Sequence, residues 1–285
     1  LFGSVSLLPL RILYILSDGF YVFVFYVFKY RRDVVMNNLL IAFPEKTEKE
    51  RVVIAKKFYH NLIDMFIEFL KMLSVSDKVL EKRFTANWYL INEIHSTGKS
   101  LQIHVGHKFN WEWGNLVMTK KTVFKLLAVY MPLANKIMER LFYKTRTRNG
   151  AIFLRATNMK EDFLPYQDTQ YLLGLVADQN PGHPGNAWWF NFFGRPTPFL
   201  RGPAKAALQN NTAVVFAFIH KPRRGYYEAI FSPAVEITDS MTEQELTKKF
   251  VVYLEEVIKK YPDMWLWSHR RWKWDWTPEY GNIIE

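Results

Sequence analysis

LQIHVGHKFNWEWGN, Leu101–Asn115, is the stretch on which the reading of the chain turns. Its first five residues form a short apolar run ended by Gly106, the pattern of a buried strand. Gly106 permits a sharp turn, because a residue without Cβ reaches backbone angles closed to others. Asn110 stands where an N-cap belongs, and a helix over Trp111–Lys120 follows. The order is strand, turn, helix. It sets His107 in the turn at the strand's carboxyl end, where α/β sheets place their ligand crevices. Glu112 falls in the first helical turn, where the helix dipole stabilises an anion.

The same alternation extends outward. Val123–Tyr130, Tyr171–Asp178 and Ala213–Ile219 read as further buried strands, and Tyr226–Phe231 as a more exposed one. Helices are expected over Ala134–Arg148, Met159–Gln167, Pro203–Gln209 and Thr242–Tyr261. Thr47 with Glu50 three residues on reads as a capping box opening another long helix. The fold class expected is α/β: a central, mostly parallel or mixed sheet flanked by helices, preceded by an N-terminal hydrophobic, membrane-anchoring helical segment. No internal repeat or low-complexity linker interrupts it. The one boundary falls near Arg31, giving a hydrophobic segment over 1–30 and a folded domain over 31–285.

In that segment, Ser4–Phe28 is nearly all apolar and long enough as a helix to cross a bilayer, which takes about 20 residues. Arg11 and Asp18 interrupt it. They lie on one helical face and are free to pair with each other or with another part of the protein. Each charge at mid-bilayer would cost about 2.5–3.5 kcal/mol. A spanning helix and a helical hairpin lying in the interface therefore both stand. The run KYRR directly after it favours a cytoplasmic location for the rest of the chain.

Composition narrows the chemistry. Net charge is +11, so the surface is drawn to something anionic: lipid headgroups, nucleic acid or an acidic protein. No helix-turn-helix, zinc-finger or RNP signature is present, which leaves a basic nucleic-acid- or membrane-binding protein as an alternative without a motif. Aromatics reach 17%, fitting an aromatic-lined pocket, a membrane-interface belt or a well-filled core. The absence of cysteine removes thiolate nucleophiles and Cys-ligated zinc together. There is no G-x-S-x-G elbow either.

On that background His107 and Glu112 stand out. Five residues apart, they would diverge on one straight helix but can meet across a turn entering one. A carboxylate on one imidazole nitrogen fixes the tautomer and leaves the other nitrogen to take a proton. With no enzyme nucleophile, such a dyad would activate a hydroxyl or amine of the substrate. The spacing also fits an ordinary turn histidine beside a helix-start glutamate. A metal-dependent hydrolase built on His104, His107 and Glu112 is a further alternative, but it needs ligands the sequence does not supply at fixed spacing. His60 and Asp64 mimic a metal pair and lack further ligands for the same reason.

GHKFNWEWGN resembles the H-x4-D/E motif of the lysophospholipid/glycerolipid acyltransferase superfamily, in the variant of the lipid A biosynthesis (late lauroyl/myristoyl) acyltransferase family. LGLVADQNPG, NFFGRPTPFLRGPAKAAL and YPDMWLWSHRRWKW resemble, in order, that family's strand ending in Asp-Gln, its Phe-Gly-x-x-Thr segment with the helix after it, and its C-terminal Trp–His-Arg-Arg signature. HPGNAWWF, His183–Phe190, departs from the pattern and leaves the acceptor open. The resemblance covers essentially the whole chain. It implies an acyltransferase domain over 31–285 at the cytoplasmic face of a bacterial inner membrane. That domain would move a fatty acyl chain from an acyl carrier protein or coenzyme A thioester to a lipid A precursor or related glycolipid. His107 would be the base and Glu112 its partner. It implies no resident cofactor, the thioester being a co-substrate, no metal, and no nucleic-acid partner.

Such a reaction needs oxyanion stabilisation and phosphate binding, and the sequence offers candidates. Asn110 and Arg155 are candidate oxyanion or substrate-binding residues, with backbone N–H groups near the turn, and a salt-bridging surface role stands as the alternative for Arg155. Asp178 and Gln179 end a second buried strand, where a carboxylate binds a sugar hydroxyl, holds a basic residue in place or simply starts a turn. Arg195, Gly202 and Lys205, with Arg201 beside them, form a candidate phosphate site at a helix start, against the alternative of exposed basic residues that bind nothing in particular. In MWLWSHRRWKWDW, Arg270, Arg271 and Trp272 are candidate membrane or headgroup contacts, against the alternative of a Trp-rich lid on the core. His269 is a weaker competitor to His107 for the base.

Overall fold

The computed structural model describes residues 2–285. A seven-stranded sheet carries the fold. Its strands are β1 (Phe84–Ala86), β2 (Leu101–Val105), β3 (Lys125–Tyr130), β4 (Ile152–Arg155), β5 (Tyr171–Val176), β8 (Ala213–Arg223) and β9 (Tyr226–Phe231). Their order is β1-β9-β8-β2-β5-β3-β4, and every neighbouring pair is parallel except β8 with β9. The mixed α/β sheet read from the sequence is thus present. β2 lies at the centre and is buried on both faces, with Leu101 and Ile103 on one and Gln102 and His104 on the other. Between the parallel strands run α7 (Trp111–Lys121), α8 (Lys136–Thr147), α9 (Met159–Phe163) and α10 (Gly202–Gln209). The last long helix, α11 (Glu243–Lys260), follows β9.

A second, three-stranded sheet was not apparent in the sequence. β6 (Ala187–Phe192) and β7 (Arg195–Leu200) form an antiparallel hairpin, and β10 (Ile283–Ile284) pairs with β6. Phe193 and Gly194 make its turn with φ of 54° and 70°, the left-handed pair a two-residue hairpin requires. Pro196 and Pro198 hide β7 from a pattern reading, since proline is confined to edge positions in strands. HPGNAWWF, which departs from the family pattern, leads into this hairpin.

The N-terminal helices are α1 (Phe2–Leu7) and α2 (Leu10–Val22), the latter continuing as a π-helical turn over Phe23–Val27. After α3 (Arg32–Ala42), the long α4 (Glu48–Lys71) opens with the expected Thr47–Glu50 capping box, and the short α5 (Asp77–Arg83) and α6 (Trp88–Ser96) flank β1. Leu10–Val27 is long and apolar enough to cross a membrane. One of its faces packs on α4 through polar contacts: Tyr14 donates to Glu68 (2.6 Å) and Ser17 to Asp64 (2.7 Å). Asp18 pairs with Arg224 (2.7 Å) and lies 3.0 Å from His60, so it finds its partners elsewhere in the protein and not in Arg11. The other face, with Ile12, Ile15, Leu16, Phe20 and Phe23, is exposed.

Candidate active site

β2 and β5 lie side by side with Val105 opposite Val176. Both chains then run on for two residues past the register pair, which brings His107 against Asp178. The imidazole Nδ1 lies 2.5 Å from Asp178 Oδ1. Asp178 Oδ2 accepts the His107 backbone N–H (2.7 Å) and the Trp265 indole N–H (2.6 Å). Burial alone would raise this carboxyl. The charge and hydrogen bonds of His107, with the Trp265 bond, instead hold it down to about 2. An ionised Asp178 fixes the proton on Nδ1 and leaves Nε2 as an acceptor, which the Gln179 amide meets at 2.9 Å. Gly106 makes the approach possible. A Cβ there would lie 2.7 Å from Leu254 Cδ1 and 3.0 Å from Asp178 Oδ2.

Glu112 does not orient His107. Its carboxylate is taken by Arg146 of α8, at 2.9 Å to Nε and 2.5 Å to Nη2, and by the Trp111 indole N–H at 3.2 Å. The Trp111 ring stands edge-on to the His107 ring, 5.6 Å between centroids, and occupies the place where the two groups were expected to meet. The cause is local. Asn110 caps α7 from a left-handed conformation, φ 93°, accepting from Trp113 N, and Glu112 faces the neighbouring helix. Of the three readings of Asp178, the one in which it holds a basic residue is what the coordinates show.

Asn110 serves the turn itself. Its amide donates to Glu68 (2.6 Å), a fully buried carboxylate that also accepts from Tyr14 and Tyr227, both at 2.6 Å. Burial pushes the Glu68 carboxyl up to about 7 against those hydrogen bonds. Lys108, beside His107, is buried with no side-chain partner among the described residues. Burial pushes its ammonium down to about 7, against the pull of Asp178 and Asp263.

A cleft of about 550 Å³ opens beside this cluster. Val24, Phe28 and Tyr30 line one side, Leu62, Phe66 and Phe69 of α4 the floor, and Phe142 of α8 the other side. Its polar end carries Arg31, Trp111, Glu112, Arg146 and His269. Leu266, also in its wall, donates its N–H to the His107 carbonyl. His269 is pushed down to about 4 by burial and by Arg271, so it stands neutral. A hollow of about 610 Å³ along α11 contains none of these residues.

Other expected residues lie elsewhere. Arg155 ends β4, three strands from β2, about 14 Å at sheet spacing, and is held by Asp162 at 2.5 Å. Arg195 pairs with Asp275, while Gly202 and Lys205 sit exposed at the start of α10, so no phosphate cradle forms from the three. Arg271 and Trp272 are interior residues and not membrane contacts. Arg271 is enclosed by Phe199 and Phe192 and donates to Asn180 and to the Pro198 carbonyl, both at 2.8 Å. Only Arg270 of that trio faces outward. The lid alternative describes this segment: Trp265 and Trp267 are buried, edge to face with 4.7 Å between ring centroids. His104 is a core histidine, bonded to Gln102 and packed on Phe250, so His104, His107 and Glu112 form no metal cluster. Arg146 and Arg31 were missed. A cationic residue on the inner face of an amphipathic helix was the available signal for Arg146.

A paired imidazole and carboxylate at the carboxyl ends of adjacent parallel strands, beside a largely apolar cleft, is an arrangement suited to acid-base chemistry on an apolar substrate. The family model described as bacterial lipid A biosynthesis acyltransferase matches residues 1–274, and the chain belongs to that family: it is an acyltransferase, with an acyl donor and a lipid acceptor. No curated protein matches the chain.

Proposed function

We propose that this enzyme transfers a fatty acyl chain from an acyl carrier protein or coenzyme A thioester to a hydroxyl of a lipid A precursor or related glycolipid, with His107 as general base. The observation that carries the reading is the 2.5 Å contact between His107 Nδ1 and Asp178 beside the apolar cleft. The acceptor hydroxyl displaces Gln179 from Nε2 and gives its proton to that nitrogen as its oxygen attacks the thioester carbonyl carbon. The carbonyl π pair becomes an oxyanion, which the Arg146 guanidinium meets, itself held in the cleft wall by Glu112. Collapse of the tetrahedral species breaks the C–S bond, and the imidazolium returns the proton to the departing thiolate. No covalent enzyme intermediate and no resident cofactor take part. Glu112 then serves the oxyanion side of the reaction.

The site works at the cytoplasmic face of the inner membrane, with α2 and the π-helical turn lying in the interface. Their polar face is engaged by α4 and Arg224, and their apolar face is free. A helix held along one side by Tyr14, Ser17 and Asp18 is better suited to lying on a bilayer than to crossing it. His107→Ala is the test. Transfer of radiolabelled acyl groups to lipid is expected to vanish while the protein keeps its fold by circular dichroism. Undiminished transfer would remove the mechanism.

A further inference from the structure

We infer that α8, with the loop Met131–Asn135 leading into it, is a second membrane-contacting element that meets an anionic bilayer surface across the cleft from the N-terminal helices. Lys136, Arg140 and Lys144 recur every fourth residue, so they form one stripe along the helix. All three are exposed, and none has an ion pair among the described residues. The one acid of the helix, Glu139, is turned back to accept the Leu133 N–H at 2.8 Å. Large apolar side chains stand among these cations with nothing over them: Ile137 is 80% exposed and Met131 64%, and Leu133 and Tyr143 are exposed as well.

The inner face of α8 is committed to the cleft. Phe142 stacks on Phe69 at 4.0 Å between centroids, and Arg146 holds Glu112. The outer face therefore has no role in the packing. Cations interleaved with bare Ile, Met, Leu and Tyr match an anionic headgroup layer over acyl chains. An acidic protein surface would pair with the cations but leave Ile137 and Met131 uncovered. The opposite rim of the same cleft carries Val24, Phe28 and Tyr30, beside the exposed Phe23 and Val27. Two apolar rims of one cleft resting on one bilayer would let a lipid tail enter the cleft without crossing water. The inference rests on the membrane reading of the N-terminal helices above.

The chain has no cysteine, so Ile137→Cys gives a unique attachment point for an environment-sensitive dye. With vesicles of phosphatidylglycerol and phosphatidylethanolamine, the dye at 137 is expected to shift to the blue. A dye on Lys248→Cys, exposed on α11, is expected not to shift. The triple variant K136Q/R140Q/K144Q is expected to bind these vesicles about 100-fold more weakly, from about 1 kcal/mol per cation near a charged surface. An unshifted dye at 137, or unchanged vesicle affinity in the triple variant, overturns the inference. So does a triple variant that keeps vesicle affinity but loses turnover only with an acyl carrier protein donor, which would make α8 a protein dock. If Ile15→Glu with Phe20→Glu weakens binding while the α8 variant does not, the inference fails and the membrane reading stands. If the unaltered enzyme ignores vesicles altogether, both fail.

Discussion

Two carboxylates, one near His107 in space and one near it in sequence, do opposite things. Asp178 arrives from the end of β5, takes three hydrogen bonds, and holds the imidazole of His107. Glu112 sits in the first turn of α7, five residues after His107 in the chain, and is spent on Arg146. The group that is near in sequence is the one that does not touch the histidine. Adjacency along the chain is set by the turn, whereas adjacency in space is set by which strands pair. β2 pairs with β5, and a carboxylate 71 residues away is carried to the imidazole by register alone.

The comparison is broken most severely by altering the carboxylate that holds the base. Asp178→Asn is expected to lower kcat by about 10³–10⁴-fold, the scale seen when a base loses its tautomer-fixing carboxylate. A steady-state assay with an acyl thioester donor reads it, and a loss under tenfold would detach Asp178 from the reaction. Next in size is Glu112→Gln, which leaves Arg146 largely buried without its anion. Breaking such a pair costs about 3 kcal/mol of stability, to be read by urea unfolding, with a smaller loss of kcat through the misplaced guanidinium.

A third carboxylate sharpens the contrast through pH. Glu68 is raised from 4.5 to about 7 by burial, so the folded chain binds a proton the unfolded chain has released between those values. Its contribution is therefore fully present below about pH 4.5 and lost as pH rises through 7. Asp178, lowered to about 2, stabilises above its unfolded value of 3.8 and loses that contribution as pH falls toward 2. Over pH 4.5 to 7.5 Glu68 contributes a fall of up to about 3 kcal/mol with rising pH, set against the opposite contributions of His104 and His269, which burial pushes down to about 4. Glu68→Gln is therefore expected to make stability rise more steeply with pH than in the unaltered chain, read by urea unfolding. The smallest effect belongs to Arg155→Ala. Exposed and paired with Asp162, it is expected to leave stability essentially unchanged and turnover within about twofold, as checked in the same assay.

Much of the fold was legible. Leu101–Val105 and Tyr226–Phe231 are strands at the residues read, and the expected capping box closes at Thr47; a second one, which the reading did not name, opens the helix expected from Thr242. These are local signals: apolar runs between turn residues, and side chains that cap their own helix. Strand order is not local, so His107 and Asp178 were each picked out and never joined. The two Trp- and Phe-rich ends of the chain teach the same lesson. Both read as membrane-facing, with basic residues beside aromatics. α2 keeps its outer apolar face because α4 takes only the other one, whereas Arg271 and Trp272 are enclosed by Phe192 and Phe199 of a hairpin whose prolines concealed it.

The claim that Asp178, and not Glu112, sets the state of His107 is tested most directly by nitrogen-15 NMR of the imidazole ring, with the His107 signals assigned by their loss in His107→Gln. The ring is predicted to carry its proton on Nδ1 in the unaltered enzyme and in Glu112→Gln, and to lose that single tautomer in Asp178→Asn. A spectrum that changes with Glu112 and stays fixed when Asp178 is replaced would contradict the account.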